Sequence, residues 1–277
     1  MDPHALAETI ADAYARRTQI QPFSSSDASF DLATAYKTEA ALVARRRASG
    51  HRSVGLKVGF ANKAVWRVMK LDTLVWAHMY DDTVRFAAAG RASLATASLI
   101  SPKIEPEVVF KIAPASAAVV SGGDAVARMP ADVLADVEWL AIGFEIIDCA
   151  YPDWKFQPAD FVAAYGLHAA LVVGEPLVVD RAAIPDLVEK LARFTVRLSR
   201  DGEVVAEGSG RNSLRSPALC LAELQAATAR QAGATPPGAG DLISSGTLTE
   251  SQPVAANQQW RVEVDGIDLG PLTLTLE

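Results

Sequence analysis

The run LAIGFEIIDCA, from Leu140 to Ala150, places the strongest condition on the fold. Side chains of a strand alternate between its two faces, and here both faces are apolar. That is the pattern of a strand covered on both sides. Glu145 sits in the middle of it. A buried carboxylate with no donor and no ion is costly, or its pKa shifts. Whatever surrounds Glu145 must therefore answer its charge. KIEPEVVFKI, from Lys103 to Ile112, sets a related condition. Glu105 and Glu107 share one face of that strand, while Ile104, Pro106, Val108, Phe110 and Ile112 take the other. A wet sheet face accounts for two neighbouring glutamates; so does something positive in front of them. Lys57 lies in a third apolar run, VGLKVGF, where it either carries its amine out to water or meets an anion. Three carboxylates and a lysine on short strands can answer one another. The carboxylates would hold a hard divalent cation through oxygen, Mg²⁺ or Mn²⁺ rather than Zn²⁺.

The chain has 277 residues, half of them hydrophobic, enough for one large domain with a smaller N-terminal part. A formal net charge of -7 without a basic stripe argues against nucleic-acid binding. Cys149 and Cys220 are far apart and form no metal-ligand pair, a usage that suits a reducing compartment. The N-terminus has no apolar signal core, and no apolar run approaches membrane-spanning length. The expectation is a soluble, cytoplasmic protein without a membrane partner.

Residues 3–17 carry apolar positions at helical spacing, and the stretch from Ser24 to Gly50 reads as a capped second helix. From Ser53 the pattern changes to short strands: SVGLKVGF, TVRF, KIEPEVVFKI, IGFEIIDCAY, AALVVGEPLVV and a hairpin around Asp201-Gly202. MPADVLADVEWLA and SPALCLAELQAATARQAG read as helices, each with Pro near its start. Strands and helices do not alternate regularly, so a mixed α+β fold is expected rather than a doubly wound sheet.

Several segments in order resemble the 2-keto-4-pentenoate hydratase and 4-oxalocrotonate decarboxylase family of the fumarylacetoacetate hydrolase superfamily. GLKVGFANKAVW, MYDDTV, PKIEPEVVF, GFEIIDCAYPDWKF and GDLISSGTLT each resemble one of its motifs, from about Ser53 to the end. The resemblance implies a mixed β-sheet roll or barrel of the fumarylacetoacetate hydrolase C-terminal type over 53–277, preceded by a helical segment over 1–52. It implies a metal site of Glu105, Glu107 and Glu145 holding Mg²⁺ or Mn²⁺. It implies Lys57 and an aspartate of the YDD loop, Asp82 or Asp81, in substrate binding or proton transfer. The substrate would be a small 2-oxo acid met in aromatic-compound catabolism, and the assembly a homo-oligomer, dimer or larger. The first expectation is hydration of a 2-hydroxydienoate or 2-oxoalkenoate. Decarboxylation of a 2-oxo dicarboxylate and a non-catalytic 2-oxo-acid-binding subunit are the alternatives.

One stretch departs from that pattern. AAYGLHAAL replaces an Asp-Asn-Ala-Ser-like segment and puts Tyr165 and His168 beside the expected substrate. His168 is a candidate acid or base, since imidazole titrates near neutral pH, or else a core histidine. Both Lys57 and His168 are expected to face the metal's cavity, with burial lowering the Lys57 pKa. His78, close to the aspartates, is a candidate pocket residue; His51 is a weaker candidate base, and His4 reads as surface. Trp76 and Trp154 read as packing. Arg211, Asn212 and Arg215 follow a Gly-x-Gly turn and face either the pocket or an interface.

Overall fold

The computed structural model describes residues 1–114 and 127–277. Its strands in chain order are β1 (Ser53–Gly59), β2 (Val75–Tyr80), β3 (Val84–Phe86), β4 (Arg91–Leu94), β5 (Pro102–Ile112), β6 (Val137–Asp148) and β7 (His168–Val173). They continue with β8 (Leu177–Val178), β9 (Thr195–Arg200), β10 (Glu203–Ser209), β11 (Leu242–Thr247), β12 (Gln252–Pro253), β13 (Gln259–Asp265) and β14 (Leu272–Leu276). Among the described residues the larger sheet runs β2-β1-β11-β5-β6-β7-β3, with β12 beside β5 and β8 beside β6. It curls into a half-barrel. Neighbours are antiparallel except β1–β11 and β3–β7. The smaller sheet runs β10-β9-β13-β14-β4. This is the mixed α+β class expected from the order of the segments, in the roll that the family resemblance implied.

The register of β5 on β6 fixes the site. Glu105 lies opposite Glu145, Glu107 opposite Gly143 and Val109 opposite Ala141. Alternation puts all six on one face. That face is charged at one end and apolar at the other, where Met79, Val109, Ala141, Leu171, Val173 and Leu242 form a cluster of their own. The opposite face carries Ile104, Val108, Phe110, Ile142, Phe144 and Ile146 into the main core, with Leu221 and Leu224 of the helix Pro217–Arg230. Each buried Phe there contributes roughly 1.5–3 kcal/mol. The strand around Glu145 is thus covered on both sides, as its composition requires.

The helices Pro3–Arg16 and Leu32–Ala48 start at side-chain caps from Asp2 and Asp31. Their apolar residues Ile10 and Leu42 join Val75, Ile147, Tyr151 and Phe161 in a second core cluster, so they pack against the strands that carry the site. Asp201 and Gly202 both have positive φ between β9 and β10, as a tight hairpin turn needs. One expected helix is shorter than its sequence pattern. It covers Pro130–Leu134, and the chain is already in β6 from Val137. VEWLA fits either state by periodicity; pairing with β5 decides for the strand. Among the described residues, no helix is long and apolar enough to cross a membrane.

Candidate active site

Glu105, Glu107 and Glu145 converge. One carboxylate oxygen from each lies within 4.8 Å of the others. Glu107 and Glu145 are fully buried, and Glu105 is partly exposed at the edge of a cavity of ≈ 450 Å³. Lys57, 1 % exposed, reaches across from β1 and donates to Glu145 Oε2 at 2.8 Å. Its place is set by β1 pairing with β11, which puts Lys57 opposite Ser244. A register shift between Ser244 and Thr247 then turns two donors onto Glu107. The Ser244 hydroxyl donates to Oε2 at 2.5 Å and the Gly246 N–H at 2.8 Å. Gly246 has φ +89°, and a Cβ there would meet the Ala61 Cβ at 2.5 Å, so only glycine fits. In the sequence Ser244 and Gly246 stand out only as part of the GDLISSGTLT motif; their contact with Glu107 depends on the shifted register.

The electrostatics follow from burial with one cation among three anions. Burial pushes the Glu105 carboxyl up to about 7, with Lys57 opposing and Glu145 adding to the rise. Burial and the charges of Glu145 and Glu105 hold Glu107 well above the usual carboxylate range. Glu145 goes the other way. Burial alone would raise it, but Lys57 and the hydrogen bond from His168 hold it below its ordinary value. Lys57 is also raised: burial works against the ammonium, and Glu145, Glu105 and Glu107 outweigh it. The expected lowering of Lys57 is therefore corrected; the carboxylates keep it protonated.

This set of residues fits a divalent cation. Glu107 Oε1 is buried without a hydrogen-bond partner, beside two other carboxylates. All-oxygen, anionic donors suit a hard cation. The cavity in front has two kinds of wall. Phe60, Ile147, Trp154, Phe156, Phe161 and Leu167 are apolar; Asn212, Thr247, Thr249, Glu250 and Ser251 are polar. Trp154, expected to pack, lines this cavity; Trp76 is buried in the core. Asn212 lines it too, whereas Arg211 and Arg215 do not.

Four other expected site residues lie elsewhere. β2 ends at Tyr80, and the turn after it carries Asp81 and Asp82 outward to an exposed cluster with His51. Asp81 accepts from the Arg52 N–H at 3.3 Å, and Asp82 pairs with Arg46. Leu56 rather than Lys57 is the partner of His78, which puts His78 on the other face of the sheet. Its Nδ1 lies 2.6 Å from Glu39 of the helix Leu32–Ala48. Tyr165 lines a second cavity of ≈ 500 Å³ together with Arg45, Arg46, Tyr80, Asp82 and His168. His168 does touch the triad, from behind. Its Nδ1 lies 2.8 Å from Glu145 Oε1, and the residue, its side chain buried, borders the second cavity and not the one that Lys57 lines. The partition between the cavities is a left-handed turn, with Tyr165, Gly166 and Leu167 at φ 56°, 59° and 57°. Two non-glycine residues held there cost of order 1–3 kcal/mol each, the kind of strain found at functional sites.

Residues 114–277 match the fumarylacetoacetate (FAA) hydrolase C-terminal family. The chain belongs to that family. Within it, this chain is 28% identical over 248 residues to a 2-hydroxyhexa-2,4-dienoate hydratase of Comamonas testosteroni, covering 90% of this chain and 88% of that protein. It is 28% identical over 263 residues to a 4-oxalocrotonate decarboxylase of a Pseudomonas species, covering 95% and 93%. Among solved structures, the 4-oxalocrotonate decarboxylase of Pseudomonas putida G7, complexed with magnesium and adipate, superposes with a TM-score of 0.85. That pair shares 26% identity over 99% of this chain and 97% of the other.

Proposed function

We propose that this FAA hydrolase family member is a divalent-cation-dependent hydro-lyase that hydrates a 2-hydroxydienoate or 2-oxoalkenoate. The observation that carries the reading is the convergence of Glu105, Glu107 and Glu145, with a bare Glu107 oxygen, at the end of a cavity that Lys57 also lines. Mg²⁺ or Mn²⁺ is the cation this donor set favours, and the magnesium complex of the similar decarboxylase supports it. The three glutamates would hold the cation, which supplies an electrophile for negative charge developing on a substrate's 2-oxygen. Lys57, kept as an ammonium, pairs with the substrate carboxylate and offsets charge as it forms. Phe156, Phe161 and Leu167 hold the carbon chain away from bulk water. Asn212, Thr247 and Ser251 on the polar wall orient the water that adds.

A second reading, decarboxylation of a 2-oxo dicarboxylate, is supported by the adipate-bound decarboxylase of similar fold. Lys57 is the one cation among the described residues lining the cavity, and in this reading it already serves the first substrate carboxylate. A second carboxylate on the substrate tail would meet aromatic rings or Glu250, which favours hydration. Buried free thiols at Cys149 and Cys220 fit a reducing, cytoplasmic setting. A homo-oligomer is part of the same reading.

A panel of dienoates and 2-oxo dicarboxylates, with carbon dioxide followed in parallel, tests this. Hydration that needs Mg²⁺ or Mn²⁺ and stops with chelator is expected. Dominant carbon dioxide release would replace the reading with a decarboxylase. Binding of 2-oxo acids without any turnover would replace it with a non-catalytic subunit.

A further inference from the structure

We infer that His168 and Thr83 form a positioning relay that fixes the Glu145 carboxylate for the cation, and that His168 is not the acid or base of the reaction. The inference rests on the metal reading of the three glutamates. Four observations carry it. First, the His168 side chain is 1 % exposed, and Nδ1 lies 2.8 Å from Glu145 Oε1. A carboxylate accepts only, so Nδ1 carries the hydrogen. Second, the other ring nitrogen, Nε2, lies 2.9 Å from Thr83 Oγ1. Thr83 is itself pinned to the end of β2, accepting from the Tyr80 N–H at 3.1 Å and lying 3.0 Å from the Tyr80 carbonyl. Both ring nitrogens are thus occupied, and neither is left to meet substrate.

Third, the backbone is shaped to deliver this contact. β6 pairs Ile146 with Ala170 but Ile147 with His168, so one residue bulges between them. Without that bulge His168 would stand on the same side as Ala170, in the main core. With it, His168 shares the face of Glu145 and Ile147. Fourth, the left-handed turn just before it seals His168 from the catalytic cavity. Leu167 lines that cavity, while Tyr165 and His168 line the second one. Gly166 sits under Lys57, where a Cβ would come within 2.8 Å of Lys57 Cδ. Glu145 is therefore gripped from two sides, by Lys57 on Oε2 and His168 on Oε1. Glu107 keeps one oxygen bare. Partners standing behind a ligand set its orientation, and their loss typically weakens metal affinity or activity 10- to 100-fold.

The test is Mn²⁺ affinity of the whole chain, read by electron paramagnetic resonance of free Mn²⁺, with turnover and melting temperature measured alongside. His168→Ala should weaken Mn²⁺ binding by roughly 10- to 100-fold. In His168→Asn the amide nitrogen takes the place of Nδ1, and affinity should return to within a few-fold of the native chain. In His168→Gln the amide takes the place of Nε2, and affinity should not return. Thr83→Val should weaken binding in the same direction, and Thr83→Ser should restore it. Native Mn²⁺ affinity in His168→Ala with turnover lowered 10²–10⁴-fold would make His168 the acid or base and overturn the relay. A lowered melting temperature with native affinity in His168→Ala and His168→Asn alike would reduce it to packing and equally overturn it. The native chain is the control: if it binds no Mn²⁺, the metal reading fails and the relay with it, an outcome distinct from the other two.

Discussion

Lys57 and Glu145 meet at 2.8 Å with almost no solvent contact. Removing one partner of a buried ion pair strands the other, at a cost on the order of 3–5 kcal/mol. Lys57→Ala should therefore lower the stability of the metal-free chain by a few kcal/mol, less when a cation is present to neutralise Glu145. Chemical denaturation with chelator and with Mg²⁺ separates the two states. The same variant should lose substrate affinity and turnover together; native kinetics on the enzyme's own substrate would exclude the carboxylate-pairing role. Glu105 adds a pH signature. Its carboxyl titrates at about 7 in the folded metal-free chain against an ordinary 4.5. Between those values the unfolded chain has released a proton that the folded chain still holds. Stability must then fall as pH rises through that window, by at most about 1.4 kcal/mol per pH unit for this one group. Glu105→Gln should flatten the slope, and so should saturating Mg²⁺, which favours the ionised form. Urea titrations across that pH range measure both. The need for a partner at Glu145 was legible in its place in the middle of an apolar run. That the partners are Lys57 and His168 was not, because they lie 88 and 23 residues away.

Elements decide which way these side chains point. Gly246 lies where β11 shifts register on β5, and its N–H holds Glu107. Gly246→Ala meets both a positive φ and a contact at 2.5 Å with the Ala61 side chain. It should destabilise the fold by about 1–3 kcal/mol and weaken Mn²⁺ binding, measured by melting and by titration. A variant with native Mn²⁺ affinity would show that the amide is not needed to hold Glu107. His78 serves the fold instead, tying β2 to the helix Leu32–Ala48 through Glu39. Burial lowers its pKa, but the hydrogen bond and charge of Glu39 outweigh burial and raise it above the ordinary 6.5. A raised histidine contributes stability that is fully present below the unfolded value and is lost as pH rises through the folded one. The stability gap between the native chain and His78→Gln should therefore be widest below pH 6.5 and narrow above it. A gap that widened with pH would contradict the pairing. Element reading from sequence failed where two states share one pattern. VEWLA extends a strand rather than a helix, and the helices Pro158–Ala163 and Ile184–Arg193 were missed. VEWLA and Pro158–Ala163 carry too few turns to separate the two periods, whereas in Ile184–Arg193 the buried Ile184, Leu187 and Leu191 do recur at helical spacing, so that helix was legible in the sequence.

At the scale of the molecule, Phe86 is 59% and Val178 72% exposed, with the half-buried Trp139 between them. They are where the homo-oligomer proposed above would make contact. Sedimentation should show at least a dimer at micromolar concentration, and Phe86→Glu should shift it toward monomer; a native chain that sediments only as monomer would exclude the homo-oligomer. What the amino-acid sequence determined alone was the α+β class, the strands that carry charge, and the facing of Glu105 with Glu107. Strand alternation is a local property with a period of two, so it survives without knowledge of any partner. The motif order added Glu145 and Lys57 to the same site. Tertiary structure decided the rest. It carried Asp81 and Asp82 out to the surface and turned His78 to the far face. It moved Tyr165 and His168 behind the partition, and brought Ser244 and Gly246 onto Glu107. Each of those outcomes depends on a register, a bulge or a turn. One residue of slip reverses the face of every side chain that follows, and only pairing between distant strands sets that slip.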